Sequence, residues 1–272
     1  MKCSSCNKEN RDKAKYCKHC GTPIVAKQMG ATGIASLVGK DNLVQQITAM
    51  LDGARAIAAQ GKQRGVSQRA RLSFVITGAT GVGKNTVAEA IAAELFAAGI
   101  VKTPNPTVVK SVEYAEFIKD IKASAKKVGN NVLIIDEAHK HCPKDRADSI
   151  CDLDKILQNI NDWCDDPDQP VVVILGDENL RSFFENNPAE AAKIQYSWQV
   201  PPPDIAALTD IVCFKLQNQY SCTVEDDARA KFGRVLTAAK RDNPDTFPYG
   251  HYAAKLAYDS YIITAADPVK PN

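Results

Sequence analysis

The sequence predicts an α/β fold in which strands of a parallel sheet alternate with helices, with a helical part after it and a small metal-held knot before it. Three observations predict this. Apolar β-branched runs without polar alternation stand at 132–135 and 171–175, the pattern of strands buried on both faces. Segments with helical spacing lie between such runs, as strand–helix–strand units require. Four cysteines crowd into the first twenty residues as two close pairs, Cys3-x-x-Cys6 and Cys17-x-x-Cys20.

Composition sets the outer limits. The 272 residues, 44% hydrophobic and 24% charged, describe an ordinary globular chain with room for one medium domain plus appendages, or two domains. A net charge of +2 is too small to argue for a nucleic-acid or anionic-membrane partner. No apolar run reaches the roughly 18 residues that a membrane helix needs. The opening Met1-Lys2-Cys3 leads into no apolar stretch of the kind a secretory signal carries. A cytoplasmic protein without a membrane partner is expected.

Residues 1–24 are the first unit. Two facing Cys-x-x-Cys knuckles place four thiolates in a tetrahedron, which suits Zn²⁺ bound by Cys3, Cys6, Cys17 and Cys20. So few aliphatic side chains cannot build a core, so metal binding would supply the folding energy. The segment resembles short bacterial zinc ribbons. Nine cysteines, an odd number, fit a reducing compartment better than a disulfide framework. A redox pair, an iron–sulfur centre and a fortuitous cluster are the alternatives. The knot is basic, which a solvated face explains as well as nucleic-acid contact does. A protein docking module is the preferred role. Residues 25–36, with Gly30 and Gly33, read as a linker.

From Leu37 the character changes. Leu43, Ile47, Met50, Leu51, Ala54 and Ile57 recur at helical spacing over 42–59, and 59–71 reads as a polar, basic loop. A strand at 72–77 runs into a glycine-rich turn, followed by a helix over 86–98. A second strand is expected at 107–112, a helix over 114–127, and a helix over 154–163 between the two apolar runs. The triple proline at 201–203 breaks regular structure and marks a boundary. Beyond it no strand signal remains. Segments 204–219, 225–240 and 249–266 are expected to be helical, and 267–272 frayed. The domain division is 37–200 for the α/β part and 201–266 for the helical part.

The glycine-rich turn carries chemistry. Gly78-Ala79-Thr80-Gly81-Val82-Gly83-Lys84 sits between a strand and a helix, the context that makes this spacing a phosphate site. Glycines let successive backbone N–H groups converge on phosphate oxygens, and the helix start adds its positive dipole end. Lys84 would reach the β- and γ-phosphates of a nucleoside triphosphate, most simply ATP. The next residue is usually Ser or Thr, whose hydroxyl binds Mg²⁺. Here it is Asn85, with Thr86 one place later; an amide oxygen is also an acceptable hard-cation ligand.

The partner of this loop is the run 132–135 followed by Asp136 and Glu137. It delivers two carboxylates to the C-terminal edge of a parallel sheet, where such sheets bind ligands. Asp136 would hold Mg²⁺, and Glu137 would polarise an attacking water as general base. His139, His141 and Cys142 follow closely. A second metal site there is weighed against loop histidines near a nucleotide pocket, and the latter is preferred.

Together these residues resemble an AAA+ P-loop ATPase over 37–266. Leu37-Val38-Gly39 resembles the segment that packs on adenine in that superfamily. Lys127 to Ala138, and the run 171–175 followed by Phe183-Phe184-Glu185-Asn186-Asn187-Pro188, resemble the CbxX/CfqX group, relatives of red-type Rubisco activase. The C-terminal helices resemble the lid. The resemblance implies ATP and Mg²⁺ as cofactors, a homo-oligomer that is usually a hexameric ring, and a remodelled protein client. It also implies a polar sensor among Asp177, Glu178 and Asn179, with Asn179 favoured by chemistry and Asp177 by position.

Some of the group's residues have no counterpart. The arginine expected shortly after Asn187-Pro188 as a finger acting on the neighbouring subunit is replaced by Lys193; Arg146 and Arg181 are other candidates. The lid arginine near Tyr249-Gly250-His251 is missing, and Lys255 is nearest. Lysine carries charge without the planar fork that clamps a phosphate. Tyr114 and Phe117 are the aromatics where threading relatives carry a pore loop, but their helical spacing favours the core. Three functions follow: a client-remodelling ATPase, a nucleotide-gated scaffold with little turnover, or a nucleic-acid-dependent ATPase.

Overall fold

Why the apolar runs at 132–135 and 171–175 lack alternation is visible in the sheet they form. The computed structural model describes residues 33–65, 69–142 and 152–266. Five parallel strands, β1 (Ser73–Thr77), β2 (Thr107–Val109), β3 (Val132–Ile135), β4 (Val171–Gly176) and β5 (Tyr196–Gln199), lie in the order β2-β3-β4-β1-β5. Successive side chains of a strand point to opposite faces. Phe74, Ile76, Val132, Ile134, Val171, Val173 and Leu175 face one core. Val75, Leu133, Ile135, Val172 and Ile174 face another. Both faces are apolar because both are covered.

Helix α1 (Asp41–Gln63) and α2 (Lys84–Ala97) cover the first face through Ile47, Met50, Leu51, Val87, Ile91 and Leu95. On the other face lie α3 (Tyr114–Lys119), α4 (Ile121–Val128), α5 (Asp152–Asp165) and α6 (Glu178–Asn186). Tyr114 is fully buried and Phe117 nearly so, as their spacing predicts. The single helix expected over 114–127 is two. The chain breaks at Asp120, whose carboxylate accepts from the Ala123 N–H and so caps α4. The second strand is shorter than expected, giving way at Ser111–Glu113 to a 3₁₀ turn with Val112 89% exposed.

A short α7 (Pro188–Ala191) leads to β5, an element that the sequence reading leaves out. β5 pairs with β1 on the sheet edge, its Tyr196 and Trp198 packed against Phe74. Only Trp198 of its four residues is buried, so its apolar signal is thin. After the prolines come α8 (Ile205–Tyr220), α9 (Asp226–Asp242) and α10 (Tyr249–Ala266). They share a separate cluster built on Leu208, Val212, Leu216, Leu236, Phe247, Ala253 and Ala257. Asp204 caps α8 by accepting from the Ala207 N–H at 2.7 Å. Among the described residues no helix is long and apolar enough to cross a membrane.

Candidate nucleotide site

The site lies at the C-terminal edge of the sheet, where β1, β3 and β4 release their chains into Gly78, Asp136 and Asp177. Between β1 and α2 the loop uses its three glycines for conformations that other residues resist. Gly78, Gly81 and Gly83 have φ of 153°, 81° and 96°. Gly83 caps α2 with no side-chain hydrogen bond, and the first turn of α2 holds no acidic residue. The amides of that turn thus carry the partial positive charge that binds phosphate.

Lys84 is half-buried and donates to the carbonyls of Gly78 at 2.8 Å and Ala79 at 2.9 Å, so its ammonium lies against the loop. Burial pulls it below the ordinary lysine range, while the charges of Asp136, then Asp177, then Glu137 pull the other way. Three carboxylates on two strand ends therefore converge electrostatically on one ammonium. Asn85 Nδ2 donates to Asp136 Oδ2 at 3.2 Å, so the loop and the acidic strand end touch through two of the three residues expected to hold Mg²⁺. A carboxylate and a side-chain amide in contact, with the Thr86 hydroxyl on the next residue, supply hard oxygens that fit that ion.

Glu137 has left-handed backbone, φ 56° and ψ 35°, which is uncommon outside glycine and clusters at functional sites. Its N–H donates to Asp136 Oδ1 at 2.9 Å. Its carboxylate pairs with Lys140 Nζ at 2.8 Å, and this hydrogen bond holds it below the usual carboxylate range. Lys140 is a site residue that sequence reasoning passes over, although its place three residues on from Glu137 was readable. Such a half-exposed pair is worth about 0–1 kcal/mol and is easily exchanged.

Asp177 caps α6, accepting from the Asn179 N–H at 2.9 Å. Asn179 is exposed and its amide donates to Asp177 at 3.1 Å. The charge of Asp177 acts on Lys84. Asp177 Oδ2 also stands 3.7 Å from His139 Nε2. His141 stacks on Tyr114 with ring centroids 3.9 Å apart and contacts Ser111 Oγ. Among the described residues no group of three or more His, Cys, Asp and Glu side chains could hold a metal, so the second metal site weighed around His139 and Cys142 gains nothing.

Gly39 has φ +69°, and a Cβ there would lie 2.6 Å from Ala207 Cβ at the start of α8. Gly39 thus packs closely on the start of α8. The C-terminal helical part also touches the loop itself. Gly250 N–H donates to the Gly81 carbonyl at 2.8 Å, and His251 follows Gly250 on α10. A Cβ on Gly81 would lie 2.5 Å from the Pro248 carbonyl oxygen and 3.2 Å from His251 Cδ2. Gly81→Val should therefore push the lid off the loop and strain a left-handed position, at a cost of about 1–2 kcal/mol for the backbone alone. We expect a lower melting temperature together with weakened ADP binding by titration calorimetry; wild-type affinity would remove the lid contact from the site.

The remaining basic candidates stand apart. Lys255 lies one turn beyond His251, 75% exposed and 4.0 Å from Asp259. Lys193 Nζ pairs with Glu190 at 2.7 Å, and its carbonyl accepts from Ser73 Oγ at the N-terminal end of β1, far along the strand from its own phosphate loop. Arg181 pairs with Glu178 and Glu185 along α6. Arg146 and the four ribbon cysteines, Cys3, Cys6, Cys17 and Cys20, lie outside the described residues, as does most of the linker.

Residues 74–187 match the family described as ATPase family associated with various cellular activities (AAA). Residues 2–24 match the zinc-ribbon domain, a span that contains all four cysteines. The chain therefore carries an AAA domain and an N-terminal zinc-ribbon domain. Among solved structures it is similar to a point mutant of RuvB from Thermotoga maritima, with a TM-score of 0.50 and 18% sequence identity. That match covers 78% of this chain and 65% of the RuvB chain, just under two thirds of its length. No curated protein matches. The fold is thus AAA+, a parallel five-stranded sheet with helices.

Proposed function

We propose that the chain is an oligomeric ATPase of the CbxX/CfqX type that remodels a protein partner, with the ribbon as the docking module. The α/β domain would span 37–200 and the lid 201–266. The observation that carries this reading is the contact of Asn85 with Asp136 beside a half-buried Lys84. It joins the phosphate loop to the acidic strand end at the edge where parallel sheets bind ligands.

In this reading the loop amides and Lys84 hold the β- and γ-phosphates, while Asn85, Thr86 and Asp136 hold Mg²⁺. Bound Mg²⁺ supplies charge neutralisation at the phosphates. Glu137 leaves Lys140 and takes a proton from water, with Asp177 or Asn179 orienting that water. A cation in trans would come from Lys193, Arg146 or Arg181, and Lys255 or His251 would sense the phosphates from the lid. The ribbon would hold one Zn²⁺ on Cys3, Cys6, Cys17 and Cys20; four thiolates in two knuckles are the donor set that ion prefers.

A second reading is favoured by two ion pairs. Glu137 is held by Lys140 and Lys193 by Glu190, which suits a nucleotide-gated scaffold with little turnover. One experiment separates the two. Masses of the intact protein are recorded with ATP, with ADP and without nucleotide, and released phosphate is counted in the same samples. The ATPase reading expects ATP-dependent assembly, phosphate release that rises with assembly, and one zinc per chain. Assembly without release favours the scaffold. A monomer in all three samples with background release refutes both, and a metal-free chain refutes the ribbon site.

A further inference from the structure

Lys40 follows Gly39 and has no role in the site described above. Its side chain runs to the helix end of the phosphate loop. A Cβ on Gly83 would lie 3.5 Å from Lys40 Cε and 3.9 Å from Lys40 Nζ, with Thr86 Oγ1 also at 3.9 Å. Lys40 is part-buried, and among the described residues its ammonium has no ion-pair partner. Burial pulls it below the ordinary lysine range with no carboxylate pulling back, unlike Lys84. An uncompensated, partly desolvated ammonium is costly, and such groups concentrate where a ligand completes them.

We propose that Lys40 is a second phosphate-binding residue of the nucleotide site, set against the α- and β-phosphates. This rests on the nucleotide reading above. The two lysines bracket the loop from opposite ends. Lys84 lies against Gly78 and Ala79 at the strand end, whereas Lys40 lies beside Gly83 at the helix end. Lys40 follows Gly39, which packs on the start of α8, in the Val38-Gly39 segment that would face the base. Its charge therefore falls between the base and the terminal phosphate. It supplies from the N-terminal segment a cation in cis, in a chain with no arginine near Tyr249-Gly250-His251. Because it meets the diphosphate, it strengthens ADP and ATP binding alike and does not discriminate between them.

The test compares full-length wild type with Lys40→Met and Lys40→Arg, using fluorescent ADP and ATP in equilibrium titrations and melting curves without nucleotide. Lys40→Met should bind both nucleotides about ten-fold more weakly, the scale of one charge-assisted hydrogen bond. Lys40→Arg should restore most of that loss. Without nucleotide, Lys40→Met should melt no lower than wild type, because it removes an unpaired, part-buried charge. Unchanged affinities in Lys40→Met overturn the proposal, as does a loss restricted to ATP or one accompanied by a lowered nucleotide-free melting point. If the wild-type protein binds neither nucleotide, the nucleotide reading itself falls, a result distinct from all of these.

Discussion

Glu137→Gln should keep ATP binding and lower phosphate release by about two to four orders of magnitude, the span that a positioned general base contributes. The substitution preserves shape and removes the negative charge together with the ability to accept a proton. The left-handed backbone at this position is unchanged by it, since both residues meet the same steric limits at φ 56°. The lost Lys140 pair costs little, because both partners are nearly half exposed and a surface pair is worth about 0–1 kcal/mol. Folding and affinity should therefore survive while chemistry fails. Asp136, one residue earlier, remains in contact with Asn85, so the half of the site proposed to hold Mg²⁺ is untouched. Single-turnover phosphate release beside nucleotide titration reads the two effects separately. Release that matches wild type would take the general-base role away from Glu137. A parallel loss of binding would mean that the residue holds the loop instead.

Most of the sheet was legible because its strands are buried on both faces. Runs such as Val132-Leu133-Ile134-Ile135 have one physical explanation in a chain that also shows amphipathic helices. β5 was not legible for the converse reason. It is an edge strand that buries one residue of its four, so its signal comes from β1 pairing and aromatic packing with Phe74, neither of which is local. The helix break at Asp120 had a readable cap but no glycine or proline to announce it. For the site, the residues fixed by backbone geometry were readable: glycines at positive φ, and carboxylates at strand ends. Side-chain partnerships were not. The Asp177–His139 approach and the Gly81–Gly250 contact depend on where distant segments meet in space. The zinc-ribbon match over 2–24 was legible from the spacing of two cysteine pairs, because ligand spacing is a short-range signal.

Lys84→Ala should weaken ATP and ADP binding by about a hundred- to a thousand-fold, the loss of one or two hydrogen bonds between an ammonium and phosphate oxygens. The effect is large because Lys84 is half-buried, so water does not replace what the ammonium supplies. The protein should still fold. Its ammonium is costly to bury, and of the two carbonyls that it leaves, the one of Ala79 belongs to an exposed residue. The same burial dictates the wild-type pH dependence. Burial lowers the pKa of Lys84 in the nucleotide-free protein, and bound phosphates raise it. Affinity must then be full below the lowered value and fall as pH rises through it, beginning earlier than a solvent-exposed lysine would allow. In Lys84→Ala that contribution to the alkaline fall should vanish along with the affinity. Titration calorimetry with ADP across the alkaline range, on both proteins, checks magnitude and sign together. Equal affinities in the two proteins would show that the loop amides and helix end hold the phosphates without Lys84.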